Sequence, residues 1–156
     1  MHADIRVATD DFDVAKEWAA LRTRVGGRAG AVVAFAGIVR DHAGPDQVEG
    51  LFLEHYPGMT EASIGRILSK ASDRWELLDA VVVHRVGELA PQDQIVLVLV
   101  AAAHRGDAFA ACEFIMDYLK TDAVFWKKEH RPGGDTWIGA TARDRDRRNG
   151  WQTDDP

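Results

Sequence analysis

QIVLVLVAAAHRGDAFAACEFIMDYLKTD, residues 94–122, decides the fold. Its first part, Gln94–Ala103, is apolar at almost every position, so it has no wet face. That is the pattern of a strand buried on both sides at the centre of a sheet. After Gly106 the period changes: Ala108, Cys112, Ile115, Met116 and Leu119 recur at helical spacing. Residues 106–122 are therefore expected to be a helix laid on that sheet.

Further strands and helices flank this unit on both sides. Towards the N-terminus, 80–86 reads as a strand, and residues 88–93, with Pro91, as a connection. Thr60 is expected to cap a helix to about Arg74, with Ile64, Ile67, Leu68 and Ala71 on one face. Leu51–Tyr56 is a strand, 41–47 a polar loop, and Ala31–Val39, bounded by glycine, a buried strand. Val14, Trp18 and Leu21 mark a helix over 14–24, capped by one of Asp10, Asp11 and Asp13 and closed by Gly26-Gly27. Ile5–Ala8 is a short strand. Towards the C-terminus, Phe125–His130 and Thr136–Ile138 are strands joined by the turn Arg131-Pro132-Gly133-Gly134. The order β-α-β-β-α-β-β-α-β-β predicts a single α+β domain with a mainly antiparallel sheet and about three helices. It is expected to occupy 1–142, with 143–156 as a charged, flexible tail.

Composition excludes several classes. The chain has 156 residues, 46% hydrophobic and 28% charged, ordinary values for a folded protein. A net charge of -6 argues against general nucleic-acid binding, which needs an excess of Lys and Arg. The apolar run near Ile95–Ala103 is far below the ~20 residues that span a bilayer. MHADIRVATDDF has no basic start leading into an apolar run, so no signal peptide is expected. A single cysteine, Cys112, rules out an internal disulfide and a multi-cysteine metal site, and a reducing cytoplasm is the natural setting. Six scattered histidines show no HxH or HxxxH spacing, so neither metal nor cofactor is expected.

Three cationic segments stand out against this acidic background. In YLKTDAVFWKKEHR (118–131) Lys120 ends a helix, and Lys127 and Lys128 lie on the next strand, pointing to opposite faces. Only one of them can share a pocket with Lys120. The competing reading is a solvated charge run with Lys120 on the helix dipole. His104-Arg105 stands where the apolar strand meets a helix N-terminus, a place that suits anions or merely satisfies local carbonyls. Arg40 follows the strand 31–39 and precedes a Gly/Pro loop, as a ligand contact or a solvated strand end.

Five blocks, LEHYPGMT (53–60), VVHRVGEL (82–89), AHR (103–105), FIMDYLKT (114–121) and FWKKE (125–129), together resemble the MoaE family, the large catalytic subunits of molybdopterin synthase. The resemblance runs from about Ile5 to Ile138. It implies an α/β hammerhead-type fold and conversion of cyclic pyranopterin monophosphate to molybdopterin by insertion of two sulfurs as a dithiolene. It also implies a small ubiquitin-like partner whose C-terminal glycine thiocarboxylate donates the sulfur, and a heterotetramer around a homodimer. It maps catalysis onto Lys120 and Lys127, and substrate binding onto Ile38, Val39, Arg40, His104, Arg105, Lys128 and Glu129. The family commonly has lysine where this chain has Ile38, and Arg143 is the nearest counterpart of an arginine that some relatives direct to a neighbouring site. From the residues alone, a non-catalytic module that docks a partner's tail, or a domain that binds a phosphorylated metabolite, stays open.

Overall fold

The computed structural model describes residues 1–152. Its elements are β1 (His2–Ala8), α1 (Val14–Val25), β2 (Ala31–Ile38), β3 (His42–Ala43), β4 (Asp46–Gln47), β5 (Gly50–His55), α2 (Met59–Arg74) and β6 (Leu77–Arg85). There follow β7 (Gly87–Leu89), β8 (Gln94–Ala102), α3 (Arg105–Leu119), β9 (Phe125–Arg131), β10 (Gly134–Ile138) and α4 (Ala142–Gly150).

Two four-stranded sheets organise the chain, in the orders β1-β6-β8-β2 and β10-β9-β5-β7, and β3 and β4 form a small hairpin. All pairings are antiparallel except β1 with β6. The first sheet is covered on both faces, and β8 shows why its sequence lacks alternation. Val96, Val98, Val100 and Ala102 join the core with Ile64, Leu68 and Ala71 of α2 and Phe114 and Ile115 of α3. Leu97, Leu99 and Ala101 turn the other way, onto Leu21 and Val25 of α1. Period two survives, but both sets are apolar because both faces are dry.

Several expectations need correction. β2 is an outer strand, with Phe35 39% and Ile38 55% exposed, although its composition reads as buried. Apolar content reports a strand's faces, not whether a neighbour lies beside it. Residues 41–47 contain the β3–β4 hairpin and 88–93 begin with β7, both too short to give a periodic signal. Gly58, at φ 86°, takes the cap position of α2, and its N–H donates to Glu61 Oε2 (2.6 Å). Thr60 lies buried in the first turn, donating from Oγ1 to the Val124 carbonyl (2.7 Å).

The charged C-terminal stretch is the largest departure. In place of a flexible tail, residues 142–150 form α4, a fourth α-helix, and 153–156 of the expected tail lie outside the described residues. Thr141 Oγ1 accepts from Asp144 N (3.1 Å), and Asp144 accepts from Thr141 N (3.0 Å), a reciprocal cap. Arg147 Nε and Trp151 Nε1 donate to buried Asp117 of α3 at 3.0 and 2.7 Å. The Trp151 ring meets Trp75 and Phe114 edge-on at 5.7 and 5.5 Å. Asp117→Ala should leave both donors without their acceptor and cost about 1–3 kcal/mol. Limited trypsinolysis would show it as faster cleavage after Arg145, Arg147 and Arg148. An unchanged cleavage rate would mean that α4 is held by something else.

Candidate active site

Residues that the sequence scatters over a hundred positions converge where the two sheets meet. Strand β9 alternates, so Phe125, Lys127, Glu129 and Arg131 face one way and Trp126 and Lys128 the other. The first four line a cavity of about 610 Å³. Leu53 and Leu51 of β5 pair with Lys127 and Glu129 and extend the same wall. Lys120 enters from the C-terminal end of α3, where its N–H still donates to the Met116 carbonyl (3.1 Å). The link from α3 to β9 is pinned by α2: Thr60 donates to the Val124 carbonyl, and Val124 N donates to Ser63 Oγ (3.2 Å). Arg40 comes from the end of β2, whose exit is set by Val39 N donating to the Asp93 carbonyl (2.9 Å). Ile138, Thr141 and Asp144 close the cavity from the segment between β10 and α4.

Electrostatics divide this lining into committed and available charge. Arg131 is held on buried Glu129 through Nε and Nη2 at 3.0 and 2.7 Å. That pair is locally neutral. Arg40, Lys120 and Lys127 then face Asp144, a net positive wall in an acidic chain. Burial and the neighbouring Lys120 hold the Lys127 amine below the usual lysine range, partly offset by Glu129. Burial works against the Asp144 carboxylate, but the Thr141 hydrogen bonds and the two lysines still hold its pKa below the usual carboxylate value.

The other expected residues are placed differently. Lys128 lies on the far face of β9, 5.2 Å from the ring centroids of both Phe52 and Trp137 and 3.7 Å from Asp135. Val39 is buried in the core beneath the cavity, with Leu51 and Leu53. Ile38 borders a second cavity of about 350 Å³, which shares Arg40, His84, Ile95, Leu119 and Lys120 with the first. His104 and Arg105 are exposed at the start of α3, whose 15 residues put them roughly 22 Å from Lys120 at 1.5 Å per residue. Within one chain they do not reach the cavity. Arg143 is exposed on α4 and does not line it.

Arg131, His84 and Asp144 were missed by the sequence reading. Arg131 was legible, being in period-two register with Lys127 and Glu129. Asp144 carried a weaker signal, the T-x-x-D cap. His84 carried none, since a histidine ending an apolar strand is as often packing as site.

The two-sheet α+β fold carries a cleft lined by Arg40, Lys120 and Lys127, a local positive field of the kind that suits an anionic ligand. The "MoaE protein" family profile matches residues 7–122. A relative from Ralstonia nicotianae, a molybdopterin synthase catalytic subunit, is 56% identical over 142 residues, which is 90% of this chain and 79% of the relative. The solved MoaE protein from Burkholderia ambifaria is 51% identical with a TM-score of 0.82, covering 96% of this chain and 98% of that one. A complex of subunits 1 and 2 of molybdopterin-converting factor from Helicobacter pylori shares the fold at 21% identity and TM-score 0.68, covering 90% and 91%. This chain belongs to the MoaE family. It is an enzyme of molybdenum cofactor biosynthesis, of the molybdopterin synthase catalytic-subunit type. Among the described residues no helix is long and apolar enough to cross a membrane.

Proposed function

We propose that this chain converts cyclic pyranopterin monophosphate to molybdopterin, taking both dithiolene sulfurs from the C-terminal thiocarboxylate of a small ubiquitin-like partner in the cytoplasm. The observation that carries the reading is the cleft where Arg40, Lys120 and Lys127 meet in a chain of net charge -6. A phosphorylated substrate and an anionic tail both need such a local field.

Each sulfur first bonds to a substrate carbon as an oxygen substituent leaves, giving a thioester with the partner. Water then adds to the acyl carbon, so negative charge develops on the acyl oxygen before the acyl carbon–sulfur bond breaks and the partner is left as a carboxylate. Lys120 stabilises that charge or bonds the acyl carbon transiently. Lys127, whose neutral amine is made accessible by burial and by Lys120, moves the proton. Arg40 holds the phosphate. Lys128, stacked on the far face, contributes at most through the strand's overall charge.

The assembly is a heterotetramer around a dimer of this chain, and the outer strand β2 supports a dimer. It presents Phe35 and Ile38 to solvent and has β8 on one side. Antiparallel pairing of two β2 strands across a two-fold axis would set the Ala31 end of one beside the Ile38 end of the other. The Ala31 end is where Gly30 N donates to the Ala102 carbonyl (3.1 Å), next to His104. The His104-Arg105 pair of a second copy would then reach the cleft mouth near Arg40. This accounts for their distance from Lys120 within a single chain.

The test is reconstitution. The purified chain, thiocarboxylated partner and pterin precursor are mixed, and dithiolene product and residual thiocarboxylate are measured. Two sulfurs consumed per product are expected. A captured partner that loses no sulfur when precursor is added would instead favour a docking module.

A further inference from the structure

We infer that His84 is a specificity-determining residue of the cleft, accepting a hydrogen bond at Nε2 from an N–H or O–H on the uncharged, heterocyclic part of the substrate. The inference rests on the reading above and extends it to a residue with no role there.

His84 stands near the end of β6, and its ring belongs to the wall shared by the two adjoining cavities. Its Nδ1 is 2.8 Å from the Arg85 carbonyl, which can only accept. The proton is therefore on Nδ1, and Nε2 keeps its lone pair. Among the described residues Nε2 has no hydrogen-bond partner, yet no buried side-chain nitrogen or oxygen there lacks one. Nε2 is consequently open to the cavity it borders. The ring is fixed by stacking on Phe125, with centroids 4.0 Å apart and planes at 24°. Burial, with Lys120 nearby, pushes its pKa down to about 4 against the Arg85 hydrogen bond, so the ring is neutral at pH 7.

The surrounding side chains make such an acceptor distinctive. Arg40, Lys120, Lys127 and Arg131 can only donate when charged. Glu129 is taken up by Arg131, and Asp144 by Thr141. An anionic group suits the lysine side of the cleft, and His84 with Phe125 offers an aromatic floor with one fixed acceptor. A ligand that spans both must carry an anion at one end and a donor-bearing ring at the other. The anionic end of such a ligand is met by Arg40 and the lysines, so a small inorganic anion depends on His84 far less than the whole ligand does.

Binding of two probes by calorimetry separates the possibilities, using the full chain with inorganic phosphate and with the pterin precursor. His84→Leu and His84→Phe both remove the acceptor, and the phenyl ring keeps the stack on Phe125, so one variant serves if the other misfolds. Each is expected to weaken precursor binding about tenfold or more while leaving phosphate affinity within about twofold. His84→Gln, which restores a neutral acceptor, should recover much of the loss. With thiocarboxylated partner present, the variants should raise KM more than they lower kcat. Equal loss of both probes, or precursor binding as tight as wild type, would overturn the inference. If the wild-type chain binds phosphate but not precursor, the proposed substrate itself falls, and the assignment of His84 with it.

Discussion

Lys120→Ala is expected to lower dithiolene formation about 10³-fold, with thiocarboxylated partner still bound. The size follows from what one preorganised charge is worth at a developing oxyanion, roughly 10²–10³ in turnover, with the upper end applying where water is scarce. Lys120 leaves α3 at the rim that the two cavities share, so no other side chain can take its place without moving the helix end. Lys127→Ala should cost less, about 10²-fold, the usual contribution of a positioned proton-transfer group. Lys128→Ala should stay within about threefold, because its ammonium sits over Phe52 and Trp137 on the opposite face. The three variants, assayed by product formation under single-turnover conditions, form an ordered series. A Lys128 variant as impaired as the Lys120 variant would place the chemistry on the wrong face of β9, and near wild-type turnover in Lys120→Ala would remove it from the mechanism.

Phe114→Ala carries the largest expected loss of stability, about 3–5 kcal/mol by analogy with other buried Phe truncations. Phe114 is 1% exposed and is the centre of an aromatic group: Tyr118 lies 4.4 Å away, Trp75 5.4 Å and Trp151 5.5 Å, centroid to centroid. The Arg74 guanidinium stands 5.3 Å from its ring. Removing the ring leaves a cavity that three large neighbours cannot fill together, and it loosens α2, α3 and the Trp151 end of α4 at once. Chemical denaturation should show a lower midpoint with little change in slope. Trp137→Ala, at a site 58% exposed, should move the midpoint very little. Comparable losses at the two positions would mean that the core lies elsewhere.

How far each result was legible beforehand depended on the kind of information involved. β8 and β6 could be read because burial on both faces leaves a run of β-branched and aliphatic residues. The opposition of Lys127 and Lys128 could be read because strand side chains alternate whatever their surroundings. The position of β2 at a sheet edge could not, since the neighbour of a strand is set by pairing with distant segments. The α4 helix was obscured by its charge: its carboxylate anchors, Glu113, Asp117 and Asp122, lie 20 or more residues away on and after α3.

The cationic cleft shows the same division. That Arg40 follows a strand, Lys120 ends a helix and Lys127 lies on the next strand is local, and the sequence alone determined it. Their meeting in one cavity is not local. It depends on β5 pairing with β9, on β2 leaving the first sheet at Val39, and on Thr60 and Ser63 of α2 anchoring the segment before β9. Only the tertiary structure decided that His84 opens onto this cavity, that Glu129 is neutralised by Arg131, and that His104 and Arg105 stand a helix length away. Side-chain chemistry and period are written residue by residue, whereas charge pairing and burial exist only once separate segments have been brought together.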